Sequence, residues 1–337
     1  MCMKTILKVI WGIFAVIGIL SVILFVNLRQ KYGNFRLTVH PGYEARYDEF
    51  VNLLRTSGPF EKDKVAFEIK ILQDSARAKE IRDYFQLEQL YDADADTWTK
   101  ALAIGKYVAA NIPHDNQEIE PEHRNAIDLW EYTKNIEPAF NCRLHSLLTF
   151  ELLLAAGLDA RYVTCMPGDE EDTECHVMNE VWLPELGKWA MIDTDMDGNY
   201  ASDLDGTPLS LREIREHYIS GEKMQYHPRF KKATTKVNEH YSYMAKNTYW
   251  FDCWENLSYF QEDWPNRQHE IGRKIYLVPS GFKGYEIQEG TIVTTDADDF
   301  WAAPGKVSFR GRGNNYFIEV GPTQGLPAAG RPNCRQR

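Results

Sequence analysis

Cysteine is scarce in this chain of 337 residues: there are six, Cys2, Cys142, Cys165, Cys175, Cys253 and Cys334. They are too few and too scattered for a disulfide scaffold, and no Cys-x-x-Cys pair occurs, which excludes a zinc ribbon. Acid is absent from residues 1–36, where Lys4, Lys8, Arg29, Lys31 and Arg36 give +5. The whole chain has a net charge of −11, so the rest carries −16. A body that acidic repels phosphate backbones, and nucleic acid is not an expected partner. Internal repeats and low-complexity tracts are missing too, which excludes solenoids and arrays. What is present is ordinary globular usage, 44% apolar and 26% charged, in a length that suits one large domain or two modest ones.

Residues 9–26 form an unbroken apolar run without a charge. As a helix they would measure roughly 27 Å, near the thickness of a bilayer core. The run is long for a signal peptide, and Phe25-Val26-Asn27-Leu28 offers a signal peptidase no pair of small residues. The expectation is an uncleaved single-pass anchor over 9–28. Lys4 and Lys8 before it are matched by Arg29, Lys31 and Arg36 after it, so charge does not fix orientation. Because signal-anchors commonly export the chain on their C-terminal side, the body is expected outside the cytoplasm, with the membrane as one partner.

Beyond a tail (1–8) and the anchor (9–28), the pattern suggests an N-terminal helical region (29–94), a core (95–215), an aromatic-rich extension (216–320) and a disordered tail (321–337). Within 29–94, helix is expected near 43–54 and up to about residue 90, with a strand over 65–72. Asp96 can cap a helix over 97–110. A second helix, 142–156, is apolar nearly all round and should be buried, with Gly157 as its stop. Strands are expected at 160–166, 176–183 and 188–193, the last two joined by Pro184-Glu185-Leu186-Gly187 as a hairpin. Helix is expected again at 210–218 and 234–262, and strand at 274–279, 291–295 and 316–320.

Cys142 opens the buried helix, where unpaired N–H groups and the helix dipole favour a thiolate and can form an oxyanion hole. A cysteine in an apolar helix is by itself ordinary packing. The hairpin adds chemistry. With a four-residue loop, Leu183 pairs with Lys188, and Asp193 falls opposite Met178, on the His176 face and one diagonal away. A two-residue slip would place Asp193 directly opposite His176. Either register lets a carboxylate orient an imidazole that serves a thiol.

These segments resemble the core of the transglutaminase-like superfamily. The likeness rests on Asn141-Cys142 at a helix start, Ala156-Gly157-Leu158-Asp159-Ala160-Arg161, His176 opening a strand, and Gly187-Lys188-Trp189 closing on Asp193. It covers roughly 95–210. It implies an α+β papain-like core, a central helix on an antiparallel sheet. In it Cys142 is the nucleophile, His176 the general base and acid, and Asp193 the orienting carboxylate. It also implies an upstream oxyanion partner, with Trp130 and Tyr132 both open. Asn141 stands where relatives often carry Gly or Gln, and could be an oxyanion donor or a helix cap. The substrate expected is a protein or peptide, hydrolysis is preferred, and no cofactor or metal is implied. A cross-linking transglutaminase and a non-catalytic, membrane-tethered module of the same fold remain open.

Other residues read differently. His145, one turn after Cys142, is expected to pack rather than to act as base. Cys165 and Cys175 either close the loop between them as a disulfide or remain thiols. The acids Asp169, Glu170, Glu171, Asp172 and Glu174 form either a solvated loop or a negative rim near His176. Asp193-Thr194-Asp195-Met196-Asp197-Gly198 copies the opening of an EF-hand loop but has Leu204 at the twelfth position, so turn chemistry explains it better. Asn256-Leu257-Ser258 is a glycosylation triplet of a kind common by chance.

Overall fold

The computed structural model describes residues 11, 14–16, 18–21, 42–172, 174–195, 200–227, 237–263, 272–283 and 290–308. The chain divides into two units, Met1–Pro41 and Gly42–Arg337. In the first unit the described residues are helical and exposed, and most of the expected anchor lies outside them. Among the described residues no helix is long and apolar enough to cross a membrane. The strand expected at 316–320 and the tail 321–337 also lie outside the described residues.

The second unit runs, after a 3₁₀ turn at Tyr43–Arg46, as α1 (Tyr47–Thr56), β1 (Lys70–Gln73), α2 (Ser75–Phe85), α3 (Thr97–Asn111), α4 (Ala126–Asn135) and α5 (Cys142–Ala155). Then come β2 (Ala160–Met166), β3 (His176–Leu183), β4 (Lys188–Ile192), β5 (Tyr200–Ser202), α6 (Leu211–Ser220), β6 (Gln225–His227) and α7 (Val237–Asn247). The chain closes with β7 (Trp250–Trp254), β8 (Asn256–Leu257), β9 (Lys274–Leu277), β10 (Ile292–Thr294), α8 (Ala297–Phe300) and β11 (Gly305–Ser308). One apolar cluster, from Phe50 to Trp301, draws on elements from α1 to α8. The regions 42–94, 95–215 and 216–308 therefore share a core.

Local chemistry sets the elements around the site. Asp96 accepts the Thr99 N–H and starts α3, while Ser210 and Glu213 form a reciprocal capping box on α6. Gly157, at φ +80°, ends α5 as expected. From Leu144 to Ala155 every α5 residue is buried, because β2 and β3 cover one side and α2, α3 and α4 the other. Its one acid, Glu151, accepts the N–H groups of Ala126 (3.0 Å) and Phe260 (2.7 Å), with Arg77 3.6 Å away.

The main sheet has six strands in the order β10-β9-β7-β2-β3-β4. It is antiparallel except at its edge, where β9 and β10 run parallel. A separate parallel sheet, β11-β1-β8, and the β5-β6 pair complete the α+β fold. The β3–β4 hairpin has the four-residue loop, with Leu183 opposite Lys188 and Asn179 opposite Ile192.

Two expectations need correction, and two open readings are narrowed. The aromatic stretch 234–262 is not one helix: α7 ends at Asn247, and Trp250–Trp254 form the buried strand β7 between β2 and β9. Aromatic side chains suit a strand covered on both faces, and burial there overrides helical spacing. The strand expected over 65–72 exists only at Lys70–Gln73, where β8 and β11 supply partners. Cys165 is a buried thiol and does not bridge Cys175, which is itself disulfide-bonded. Ser258 is buried and Asn256 is paired in β8, so the glycosylation triplet is not on an open loop.

Candidate active site

Three elements converge on Cys142. The first is α5 itself. Asn141 is extended (φ −78°, ψ 172°) and its Oδ1 accepts the Leu144 N–H at 3.1 Å, so this side chain caps the helix that Cys142 opens. The second is β3, whose first residue, His176, pairs with Cys165 of β2. The third is the chain leaving β4, which carries Asp193 and Asp195. Ser146 Oγ of α5 donates to Val177 O (2.8 Å), and Asn179 Nδ2 donates to Ser146 O (3.0 Å). The Thr149 and Thr194 hydroxyls meet at 2.9 Å. These bonds hold the helix against the hairpin.

His176 Nε2 lies 2.7 Å from Asp193 Oδ2, with both side chains buried. The diagonal placement suffices, without a register slip. Nε2 is thereby occupied, which leaves Nδ1 for the thiol: Cys142 Sγ, a His176 ring nitrogen and an Asp195 carboxylate oxygen all lie within 4.8 Å of one another. Burial alone would lower the imidazole pKa. The charge and hydrogen bond of Asp193, with the contribution of Cys142, outweigh it and hold His176 well above its ordinary value. The same pairing overcomes burial at Asp193 and keeps its carboxyl low. Burial pushes the thiol of Cys253 up to about 12 and that of Cys165 well above the ordinary range.

A second acid–imidazole pair borders the thiol. His114 Nδ1 lies 2.7 Å from Asp195 Oδ1, and the Asp195 N–H donates to Asp193 Oδ1 at 3.0 Å. His114 bridges to Phe140, two residues before Cys142, and the Asp115 N–H donates to Phe140 O at 3.0 Å. Its side chain is 41% exposed, so it forms the solvent edge of an otherwise buried cluster. His145 lies within, its Nε2 3.7 Å from Asp195 Oδ1, and burial lowers its pKa so that it stays neutral. Sequence reasoning missed His114 and read Asp195 only as turn chemistry. No spacing rule links residues 114, 140 and 195, which only the folded chain brings together.

The hydrogen bond to Asp195 is the largest influence on His114, and it outweighs burial to raise the pKa above the ordinary imidazole value near 6.5. In Asp195→Asn the His114 resonances are expected to titrate at lower pH than in the wild type, as followed by NMR. A folded-state pKa raised in this way contributes stability that is complete below about pH 6.5 and fades as pH rises through the raised value.

Both upstream aromatics pack in the fold around α4. Trp130 stacks on Tyr107 (5.3 Å between centroids) with Lys134 5.6 Å from its ring. The Tyr132 hydroxyl lies against Ile119 O (2.5 Å) and Glu137 (3.0 Å). Gln117 is an upstream amide near the helix start, but its Nε2 donates to Asp115 O and Ala139 O while its Oε1 accepts the Asn141 N–H. It braces the 114–117 turn.

From α7, Tyr243 sits edge-on to His176 at 5.3 Å. Of the five acids before His176, Asp169, Glu170 and Glu171 are exposed, while Asp172 and Glu174 are paired. Lys246, nearly buried, holds Asp172 (2.9 Å) and Glu174 (3.3 Å), and Tyr43 donates to Glu174 at 2.7 Å. Residues 196–199 of the EF-hand-like stretch lie outside the described residues, and Asp193 and Asp195 face histidines instead.

No curated protein matches the chain. Two solved structures are similar to it. One is a candidate cysteine protease from Cytophaga hutchinsonii, with 16% identity over 48% of this chain and 54% of that one, at a TM-score of 0.29. The other is a candidate protease from Parabacteroides distasonis, with 14% identity over 45% of this chain and 26% of that one, at 0.25. The chain thus spans about half the length of the first and a quarter of the second, and neither likeness carries an argument about activity. The model of the transglutaminase-like superfamily matches residues 68–194, from just before β1 through Asp193. Over residues 68–194, which carry Cys142, His176 and Asp193, the chain is similar to the transglutaminase-like superfamily.

Proposed function

We propose that this chain is a thiol acyl-transfer enzyme that hydrolyses amide bonds in a protein or peptide. One observation carries the reading: the His176 imidazole is held by Asp193 at 2.7 Å through Nε2, with its other nitrogen available to a cysteine that begins a helix. In the reaction Cys142 Sγ attacks the amide carbonyl as a thiolate. The tetrahedral oxyanion is met by the Cys142 N–H at the helix start. His176 gives its proton to the leaving amine, an acyl-thioester remains on Cys142, and water activated by His176 releases the acid. Asp193 fixes the tautomer and stabilises the imidazolium.

Iodoacetamide alkylation tests the thiol. Cys142 is expected to react rapidly well below pH 8 and to lose that reactivity in His176→Ala. Cys165 and Cys253, raised by burial, should stay silent. Reaction no faster than that of free cysteine overturns the reading in favour of a non-catalytic module. A peptide-library digest beside an amine-incorporation assay, with Cys142→Ala as blank, separates hydrolysis from cross-linking.

We also propose that residues 9–28 anchor the chain and that the body lies outside the cytoplasm, on the length and purity of the apolar run. Carbonate extraction should leave the full chain in the membrane, and protease added to intact cells should reach the body.

A further inference from the structure

The thiol cluster contains a group that the acyl-transfer mechanism does not use. Asp195 Oδ1 is taken by His114, but Asp195 Oδ2 is buried without a hydrogen-bond partner among the described residues. The Asp195 side chain is 1% exposed. A buried carboxylate oxygen left unsatisfied is costly, and its position asks what it faces. Asp195 belongs to a set of three donors from three elements, Cys142 Sγ, a His176 ring nitrogen and one of the Asp195 carboxylate oxygens, all within 4.8 Å of one another. The imidazole is already arranged as in metal sites, where a ligating histidine gives its second nitrogen to a carboxylate; here Asp193 holds Nε2 at 2.7 Å.

We propose that Cys142 Sγ, His176 Nδ1 and Asp195 form a reversible site for a borderline divalent cation of the zinc type, and that occupancy switches the thiol off. Sulfur, imidazole nitrogen and carboxylate oxygen together suit Zn²⁺ and suit Mg²⁺ poorly. Bonds of about 2.0–2.3 Å place the ligand atoms of a tetrahedral ion roughly 3.3–3.8 Å apart, so the cluster needs to contract by about 1 Å. Water fills the fourth position, on the side of half-exposed His114. Binding forms three coordinate bonds with no change of oxidation state. It takes the thiolate electron pair and the Nδ1 lone pair, and the proton of the thiolate–imidazolium pair leaves to solvent. The switching role, though not the binding, rests on the thiol-enzyme reading above.

The test uses the full chain with ZnCl₂, MgCl₂ and CoCl₂ as probes. Iodoacetamide labelling of Cys142 is followed by peptide mapping, and the cobalt complex by its thiolate-to-metal charge-transfer band. Micromolar zinc is expected to slow labelling more than 10-fold, reversibly with EDTA, while millimolar magnesium has no effect. Asp195→Asn should weaken zinc protection by about 10–100-fold, and Cys142→Ala should lack the cobalt band. Zinc that leaves Cys142 labelling unchanged, or full protection in a folded Asp195→Asn protein, overturns the proposal. If that variant does not fold, the wild-type cobalt band decides: its absence overturns the site. Slow labelling of metal-free Cys142 defeats the catalytic reading instead, and the cobalt band still reports the metal site.

Discussion

Asp193→Asn is expected to lower amide-bond cleavage by about 10⁴-fold while leaving the protein folded, and Cys142→Ala to abolish it. The carboxylate can only accept, so it fixes a proton on His176 Nε2 and turns Nδ1 to the thiol. An asparagine amide can donate from the same place. Nε2 then becomes the acceptor and the proton moves to Nδ1, where it blocks proton transfer from Cys142. The variant should also lose rapid alkylation below pH 8. The pH dependence of stability has a definite sign. Asp193 is held low, so its contribution is complete above about pH 3.9 and fades as pH falls through the lowered value. His176 is held well above its ordinary value, so its contribution is complete below about pH 6.5 and fades as pH rises through the raised value. Denaturation profiles of wild type and Asp193→Asn should differ most between those limits. An Asp193→Asn protein that cleaves at the wild-type rate would remove this histidine tautomer from the mechanism.

The parts of the site that could be read from the sequence are those set by short-range rules. Asn141 caps α5, Gly157 ends it, and the four-residue loop at 184–187 fixes a register that carries Asp193 to His176. What could not be read depends on distant partners. β1 shrinks to Lys70–Gln73 because its neighbours, β8 and β11, come from residues 256–257 and 305–308. β7 resembles helix in composition and becomes a strand because β2 and β9 flank it. His114 reaches Asp195 across 81 positions by way of a bridge to Phe140, and no local pattern announces such a contact. The docking of α5 on the hairpin was likewise implied only by resemblance. The Ser146, Thr149 and Asn179 bonds now give it a physical cause.

The largest stability loss is expected at Arg161, a residue of the superfamily-like pattern that touches no group of the thiol cluster. Arg161 faces Glu180 across β2 and β3, and both side chains are fully buried. Its Nε and second terminal nitrogen donate to Glu180 Oε2 at 2.9 and 2.6 Å, and its remaining nitrogen donates to Phe300 O at 2.7 Å. The guanidinium lies 4.4 Å from the Trp189 ring centroid, so the tryptophan of the Gly-Lys-Trp segment completes the same cluster. Glu180 Oε1 also accepts the Leu211 N–H at the start of α6 and the Trp301 indole N–H. Arg161→Ala leaves a buried carboxylate without its countercharge and should cost about 3–5 kcal/mol. For a domain of this size that corresponds to a fall in Tm of roughly 6–20 °C, measured by circular dichroism. Replacing both partners, as in Arg161→Met with Glu180→Leu, removes both charges but orphans the Leu211 and Trp301 donors at about 1–3 kcal/mol each. The double variant should therefore be less stable than the wild type, by a loss comparable to that of Arg161→Ala. Equal stability of wild type and Arg161→Ala would mean that this pair does not hold β2 to β3. It would also mean that the position of His176, at the start of β3, is set by the helix contacts alone.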